Sequence, residues 1–226
     1  MRIALLGGTG DVGEGLAVRW GRDTDHELLV GSRDPERARE AATAYAETVA
    51  ADTGGDPDDL AIKGFTNEMA ADRAEIVVLA VPPYHVADTV ETVADGLDAD
   101  DVVVTPAAGM QRDEDGFSYH PPGTGSVAAL VREETPDAVP VVGAFHNLAA
   151  GRLAALDAPL GIDTLVFGDA DDAVSRIVRL AEEIDGLRAL RAGGLGNAPE
   201  VESLTPLLIN VARENDDLHD LGVRFD

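Results

Sequence analysis

Gly8, Gly10 and Gly13 stand at G-x-G-x-x-G spacing within Gly7-Gly8-Thr9-Gly10-Asp11-Val12-Gly13, directly after the apolar run Arg2–Gly7. In that spacing Gly8 permits a tight turn, Gly10 lets backbone approach a pyrophosphate, and Gly13 lets a helix pack closely on a strand. The phosphates then rest at the positive end of the helix. The motif follows a strand pattern and opens a helix pattern within a βαβ unit of about thirty residues, the context that separates a dinucleotide site from an ordinary glycine turn. Residues Gly8, Thr9, Gly10, Asp11, Val12 and Gly13 are therefore read as a dinucleotide-binding turn. The second strand pattern ends in Gly31-Ser32-Arg33, and Arg37 follows. An NAD site places a carboxylate there for the ribose 2′-hydroxyl. This chain offers a hydroxyl and two guanidiniums, whose donors fit a 2′-phosphate and favour NADP. Arg37 falls in the first turn of its helix, where the macrodipole opposes a cation and a bound anion would relieve the conflict. The alternative is that both arginines pair with Asp34, Glu36 and Glu40, as surface ions commonly do.

Further along, Val81-Pro82-Pro83 leaves the carboxyl edge of the fourth strand with two successive residues that lack a backbone donor. They either shape a rigid apolar wall along a cofactor or simply stop the strand. His146 closes another apolar run; it is either a polar anchor in a site or a hydrogen-bonded structural residue. His26, His85, His120 and His219 share no metal-ligand spacing. No acid–base pair or activated nucleophile stands out. With no cysteine in the chain, disulfides, thiolate metal sites and thiol nucleophiles are excluded, and any redox chemistry belongs to a bound coenzyme.

The elements that must position these residues alternate regularly. Strand patterns at Arg2–Gly7, Glu27–Gly31, Leu60–Phe65, Glu75–Val81, Asp101–Thr105 and Val139–Phe145 are separated by helix patterns at Asp11–Arg22, Pro35–Ala51, Asn67–Arg73, Tyr84–Asp95 and Gly125–Glu134. Asp34 caps the second helix, with Pro35 at its first position. This rhythm predicts an α/β fold: a Rossmann-type, doubly wound, mostly parallel sheet. After His146 the rhythm changes to strands near Thr164–Phe167 and Leu187–Arg191 and helices at Asp171–Ile184 and Pro199–Glu214. Residues 1–145 are thus expected to form the NADP-binding domain, and residues 146–226 a smaller C-terminal α/β lobe. Asp52–Asp59 reads as a solvated loop. In the last helix Leu204, Leu207, Leu208 and Val211 recur at helical spacing, which suits a core or a subunit interface.

The chain has 226 residues, with 43 Asp or Glu against 17 Lys or Arg and a formal charge of −26. Such a surface repels phosphate backbones and anionic lipids, so nucleic acid and membrane are excluded as partners. Lys63 is the single lysine, and the acids are spread along the whole sequence. That pattern suits the concentrated, screening salt of a halophile's cytoplasm, the alternative being an ordinary acidic protein. At 45% hydrophobic the chain is too apolar for disorder. No apolar run approaches the roughly 20 residues of a membrane span, and the N-terminus lacks a signal-peptide pattern, which predicts a cytoplasmic protein.

Along nearly its whole length the sequence resembles the coenzyme-F420-dependent NADP oxidoreductases of archaea, in a haloarchaeal form. The resemblance is carried by Leu5-Leu6-Gly7-Gly8-Thr9-Gly10, Val30-Gly31-Ser32-Arg33, Gly116-Phe117-Ser118-Tyr119, His146, Glu183-Ile184-Asp185-Gly186-Leu187-Arg188 and Val201-Glu202-Ser203-Leu204-Thr205-Pro206-Leu207. It implies that Thr9, Ser32, Arg33 and Arg37 hold the 2′-phosphate, that Gly10 through Gly13 hold the pyrophosphate, and that Val81, Pro82 and Pro83 run along the cofactor. It places His146, Asn147, Leu148 and Ala150 where nicotinamide and deazaflavin meet, with His146 and Leu148 as positioning residues, and adds Asn197 and Leu207 from the C-terminal lobe. The implied reaction is hydride transfer between reduced coenzyme F420 and NADP, with no side chain acting as acid or base. The protein's task is then to hold two rings about 3–3.5 Å apart and exclude water. A homodimer or higher homo-oligomer completing the deazaflavin pocket is also implied. Two other readings compete. An NADP-dependent imine or hydroxyacid reductase needs a lysine or histidine acid beside the nicotinamide, and Lys63 lies far upstream of the cleft. A non-catalytic nucleotide-sensing domain has no need of the 80 or so residues beyond His146.

Overall fold

Short runs rich in Val, Ile and Leu cannot face water on either side, and parallel pairing between two helical layers covers both. In the computed structural model, which describes residues 1–226, these runs form β1 (Arg2–Leu6), β2 (Glu27–Ser32), β3 (Ile62–Thr66), β4 (Ile76–Leu79) and β5 (Val102–Thr105). Between them lie α1 (Asp11–Asp23), α2 (Pro35–Thr53), α3 (Asn67–Ala71) and α4 (Val86–Val93). A small hairpin of β6 (Met110–Arg112) and β7 (Phe117–Tyr119) follows, then α5 (Val127–Glu134), β8 (Val141–Gly143) and α6 (Ala150–Ala154). The chain ends with β9 (Ile162–Gly168), α7 (Asp171–Glu182), β10 (Leu187–Arg191), α8 (Ala198–Glu202) and α9 (Leu204–Glu214).

One eight-stranded sheet runs β10-β9-β8-β5-β4-β1-β2-β3, parallel except where β8 meets β9. The chain winds outward from β1 through β2 to β3, then returns to lay β4 on the other side of β1. That reversal opens a crevice at the carboxyl ends of β1 and β4, the place where this architecture binds ligands. Residues 146–226 extend the sheet of residues 1–145, because Val142 lies opposite Gly168 and Gly143 opposite Phe167. Leu16, Trp20, Tyr45, Leu153, Ile177 and Leu180 pack on one face. Ala70, Val86, Val90, Val127 and Val131 pack on the other. No helix is long and apolar enough to cross a membrane.

Three local features depart from the sequence expectation. The last helix is broken at Ser203, because Pro206 has no N–H to give the carbonyl of Glu202 four residues back. The Asp52–Asp59 segment holds a single 3-10 turn at Pro57–Asp59, where the Asp56 side chain accepts from the amide of Asp58 at 3.0 Å. Strands β6 and β7 are three residues each, too short to show a period. A fourth feature ties the nucleotide-side helix to the segment beyond His146. Arg19 of α1 is fully buried and donates to the carbonyls of Leu153 at 2.8 Å, Ala158 at 3.0 Å and Arg152 at 3.1 Å, and also to that of Ala155. One planar guanidinium thereby satisfies the open carbonyl end of α6.

Candidate functional site

Strand β1 stops at Leu6 and the chain reverses at once, so Gly7 takes the left-handed φ of +69° and Gly8 is not the residue that turns. A Cβ on Gly7 would lie 2.4 Å from the side chain of Val81. Gly8 and Gly13 are needed for mutual contact: a Cβ on Gly13 would sit 2.5 Å from the Cα of Gly8. Gly10 differs, since its nearest protein atom to a Cβ is the Gly7 carbonyl at 3.6 Å. The space it leaves open belongs to the cleft and not to the packing of the fold. Helix α1 starts at this point with no side-chain cap, so its first amides keep their hydrogen-bonding capacity for an anion.

The turn is braced on several sides. The Gly8 amide is shared between the carbonyls of Leu5 and Gly31, both at 3.0 Å, and the Gly7 amide donates to Asn67 Oδ1 at 3.3 Å. The buried Tyr45 hydroxyl donates to the Gly8 carbonyl at 3.0 Å. Burial pushes that phenol up to about 12, so it remains a donor. A single tyrosine on a long Ala-rich helix gave no sign of this role in the sequence.

At the carboxyl ends of β1 to β4 lies a cleft of about 580 Å³ lined by Thr9, Gly10, Ser32, Arg33, Arg37, Val81 and Pro82 among the expected residues. Its other walls are Thr66, Asn67 and Glu68 from the β3–α3 junction and His85, Asp88, Thr89 and Thr92 after β4, none of which the sequence reading included. Their position just past strand ends beside the crevice is the signal that would have found them. Arg33 and Arg37 are exposed, and neither lies within 4.0 Å of a carboxylate oxygen. The carboxylate best placed to pair with them, Asp34, caps α2 instead, accepting from the amides of Glu36 at 2.9 Å and Arg37 at 3.4 Å. Ser32 is buried, and its Oγ accepts from the Asp34 amide at 3.2 Å. Two unpaired guanidiniums therefore stand at the mouth of a cleft in a chain of charge −26.

Several expected residues lie outside this cleft. Gly8 and Gly13 are packed together beneath it, Asp11 points to solvent, and Val12 packs against the core. Pro83 opens the 3-10 turn Pro83–His85. Asn197 is exposed and donates to the carbonyl of Ala192 at 2.6 Å.

His146, Asn147, Leu148 and Ala150 come together at a second hollow of about 500 Å³, walled by Thr205, Leu208, Ile209, Ala212 and Arg213 of α9 and by residues 219–221. Leu207, on the same helix, lies outside it and is 54% exposed. The side chains of His146, Asn147 and Leu148 are all buried. Asn147 Nδ2 donates to the carbonyl of Asp163 at 2.7 Å, and Leu148 joins the main core. The His146 ring stacks on Phe167 with centroids 5.4 Å apart, and neither ring nitrogen has a hydrogen-bond partner. Burial pushes its pKa down to about 3, an effect only partly offset by the nearby backbone of Ala107. The preceding Phe145 takes φ +68°, a strained value for a bulky residue. It is held there by its amide donating to Thr164 Oγ1 at 3.2 Å and by an edge-on contact with Trp20.

A sheet whose strand order reverses above a glycine turn, with free guanidiniums at the end of its second strand, defines a nicotinamide-dinucleotide-dependent oxidoreductase of the Rossmann class. The family profile described as NADP oxidoreductase coenzyme F420-dependent matches residues 2–109. The chain is 36% identical over 228 residues to the F420-dependent NADP reductase of Methanothermobacter marburgensis, covering 100% of this chain and 98% of that one. It is 36% identical over 213 residues to that of Methanocaldococcus jannaschii, covering 93% and 92%. A solved candidate F420-dependent NADP-reductase from Arthrobacter sp. FB24 shares the fold, with a TM-score of 0.80 at 20% identity over 100% of this chain and 99% of that one. The chain belongs to the coenzyme-F420-dependent NADP reductase family.

Both coenzymes suit what the residues offer. The empty space at Gly10, the uncapped α1 and the unpaired Arg33 and Arg37 match a dinucleotide bearing a 2′-phosphate. The second hollow, apolar along Leu148, Leu208, Ile209 and Leu221 and flanked by both Arg213 and Asp220, matches a flat ring system.

Proposed function

We propose that this chain catalyses hydride transfer between reduced coenzyme F420 and NADP, with the nucleotide in the cleft above the glycine turn and the deazaflavin against the residues that follow His146. When both are bound, the coenzymes supply the hydride and its acceptor, so the chain needs no acid, base or metal of its own for that step. Its residues bind and orient. Thr9, Ser32, Arg33 and Arg37 take the 2′-phosphate, Gly10 through Gly13 the pyrophosphate, and Val81, Pro82 and Pro83 the apolar edge. Residues 1–145 serve the nucleotide; residues 146–226 serve the deazaflavin through His146, Asn147, Leu148 and Ala150, while Asn197 and Leu207 lie outside both hollows of the single chain. The observation that carries the reading is the pair of unpaired guanidiniums beside buried Ser32. Purified protein mixed with NADPH and oxidised F420 in molar KCl is expected to bleach the deazaflavin absorbance, and NADH to do so poorly. An unchanged spectrum with NADPH would end the proposal.

We also infer that the working unit is a homodimer adapted to high salt. Leu207 and Val211, one turn apart on α9, are large apolar side chains left exposed, a helix face that a second copy would cover. Sedimentation at molar KCl should give twice the monomer mass; a monomer at all concentrations would remove this reading. With a charge of −26, self-repulsion is strongest where salt does not screen it. The melting temperature should therefore rise from dilute buffer to molar KCl, and a flat dependence would count against salt adaptation.

A further inference from the structure

Asn67 opens α3 at the carboxyl end of β3, in a turn fixed by Thr66 Oγ1 accepting from the Met69 amide at 3.2 Å. Its side chain spans three strand ends. Oδ1 accepts the Gly7 amide at 3.3 Å, where β1 gives way to the glycine turn. The same oxygen fills the place a side chain on Gly31 would need, since a Cβ there would lie 2.7 Å from it. Strands β2 and β3 pair so that Ser32 stands opposite Thr66, one residue before Asn67, and Asn67 lines the same cleft as Ser32, Arg33 and Arg37.

The carboxamide is only half used. Asn67 is 8% exposed and lines the nucleotide cleft, and its acceptor is taken by Gly7 while its Nδ2 donates to no protein atom. Only the ring nitrogens of His146 are sealed from solvent without a partner, so Asn67 Nδ2 reaches the water of the cleft, where its two N–H donors are open to a bound acceptor. We propose that Asn67 recognises the 2′-phosphoadenosine half of NADP by donating Nδ2–H to it, while its oxygen holds the Gly7 peptide in place. Asn67 thus reads the nucleotide and positions the turn at once. The proposal rests on the reading of this cleft as the NADP site.

The test uses the whole chain and two fragments. Adenosine 2′-monophosphate carries the end Asn67 would read; adenosine 5′-diphosphate carries the phosphates over the glycine turn. Asn67→Asp keeps an acceptor for Gly7 and loses the donors, and Asn67→Ala loses both. Circular dichroism confirms that each variant is folded. By ligand-observed NMR, Kd for the 2′-monophosphate should rise about tenfold in Asn67→Ala and at least about thirtyfold in Asn67→Asp, from the size of a lost hydrogen bond and an added like charge. The 5′-diphosphate should lose less affinity than the 2′-monophosphate in Asn67→Asp, since the added charge repels both but only the 2′-monophosphate also loses the Nδ2–H donor. Either variant that is folded and binds the 2′-monophosphate within about twofold of wild type overturns the proposal, since support of Gly7 would then be the whole role. If the unaltered protein itself binds no 2′-monophosphate, or Arg33→Ala/Arg37→Ala leaves that binding intact, it is the assignment of the cleft that fails.

Discussion

Replacing Arg33 and Arg37 together with alanine is expected to lower kcat/KM for NADPH by about 10²–10³-fold and to leave that for NADH within about threefold. Each guanidinium offers forked donors to a phosphate, and a charge-assisted contact of that kind contributes about 1.5–2 kcal/mol once exposure is allowed for. Two such contacts give the stated range at about 1.4 kcal/mol per decade. The loss falls on NADPH alone because the 2′-phosphate is the group NADH lacks. The starting state favours a clean result: neither side chain is in an ion pair, so the substitutions strand no carboxylate partner, and Asp34 keeps its cap on α2. Removing Arg37 also relieves a cation in the first turn of α2, so the apo protein should lose no stability. The effect should shrink as salt rises, since part of the attraction acts beyond contact distance. A double variant that still prefers NADPH by the wild-type ratio would place the 2′-phosphate somewhere other than the end of β2.

The place of the two arginines at the cleft was legible in the sequence because it depends only on local order: a strand, its last residue, and the first turn of the next helix. The glycine turn was legible for the same reason, although the residue carrying the left-handed φ proved to be Gly7, since β1 ends one residue earlier than its apolar run. The opposite wall of the cleft was legible only in part: its residues stand just past strand ends, but which strand ends flank the crevice is not written locally. Asn67, His85 and Thr89 reach the site only because the sheet runs β3-β2-β1-β4, and strand order is a tertiary fact that no local pattern contains. Nor could the sequence tell which way His146 faces. It follows β8, where a one-residue change at a strand end sends a side chain to the opposite face, and the left-handed Phe145 intervenes. Arg19 was hidden in the same way: on a helical wheel it is one polar residue among others, and only the carbonyls beyond α6 give it a buried place.

Changing His146 to phenylalanine is expected to remove a large part of the protein's acid sensitivity. In the unfolded chain a histidine titrates near 6.5, whereas burial against Phe167 holds this one at about 3. Between those values the unfolded state takes up a proton that the folded state refuses. Stability from this residue is therefore complete above about pH 6.5 and is lost progressively as the pH falls toward 3, at up to about 1.4 kcal/mol per unit and roughly 4–5 kcal/mol over the whole window. Phenylalanine keeps a ring against Phe167 and removes two nitrogens that have no partner. At pH 7 the variant should be at least as stable as wild type. Between pH 6.5 and pH 4 its denaturant midpoint should fall less steeply, by the equivalent of about 3 kcal/mol. The other titrating groups are common to both proteins and cancel in the difference, provided KCl is held constant. Parallel curves would mean that His146 takes up its proton in the folded state, and that its ring is not sealed as described. The same variant weighs the residue's purpose. The imidazole packs on Phe167 as a phenyl ring would, but its two nitrogens find no partner in the fold, so what distinguishes it from phenylalanine is open only to a bound coenzyme. His146→Phe should then raise KM for F420 while leaving the Kd of NADPH unchanged. A variant both more stable and equally active with F420 would strip His146 of the positioning role.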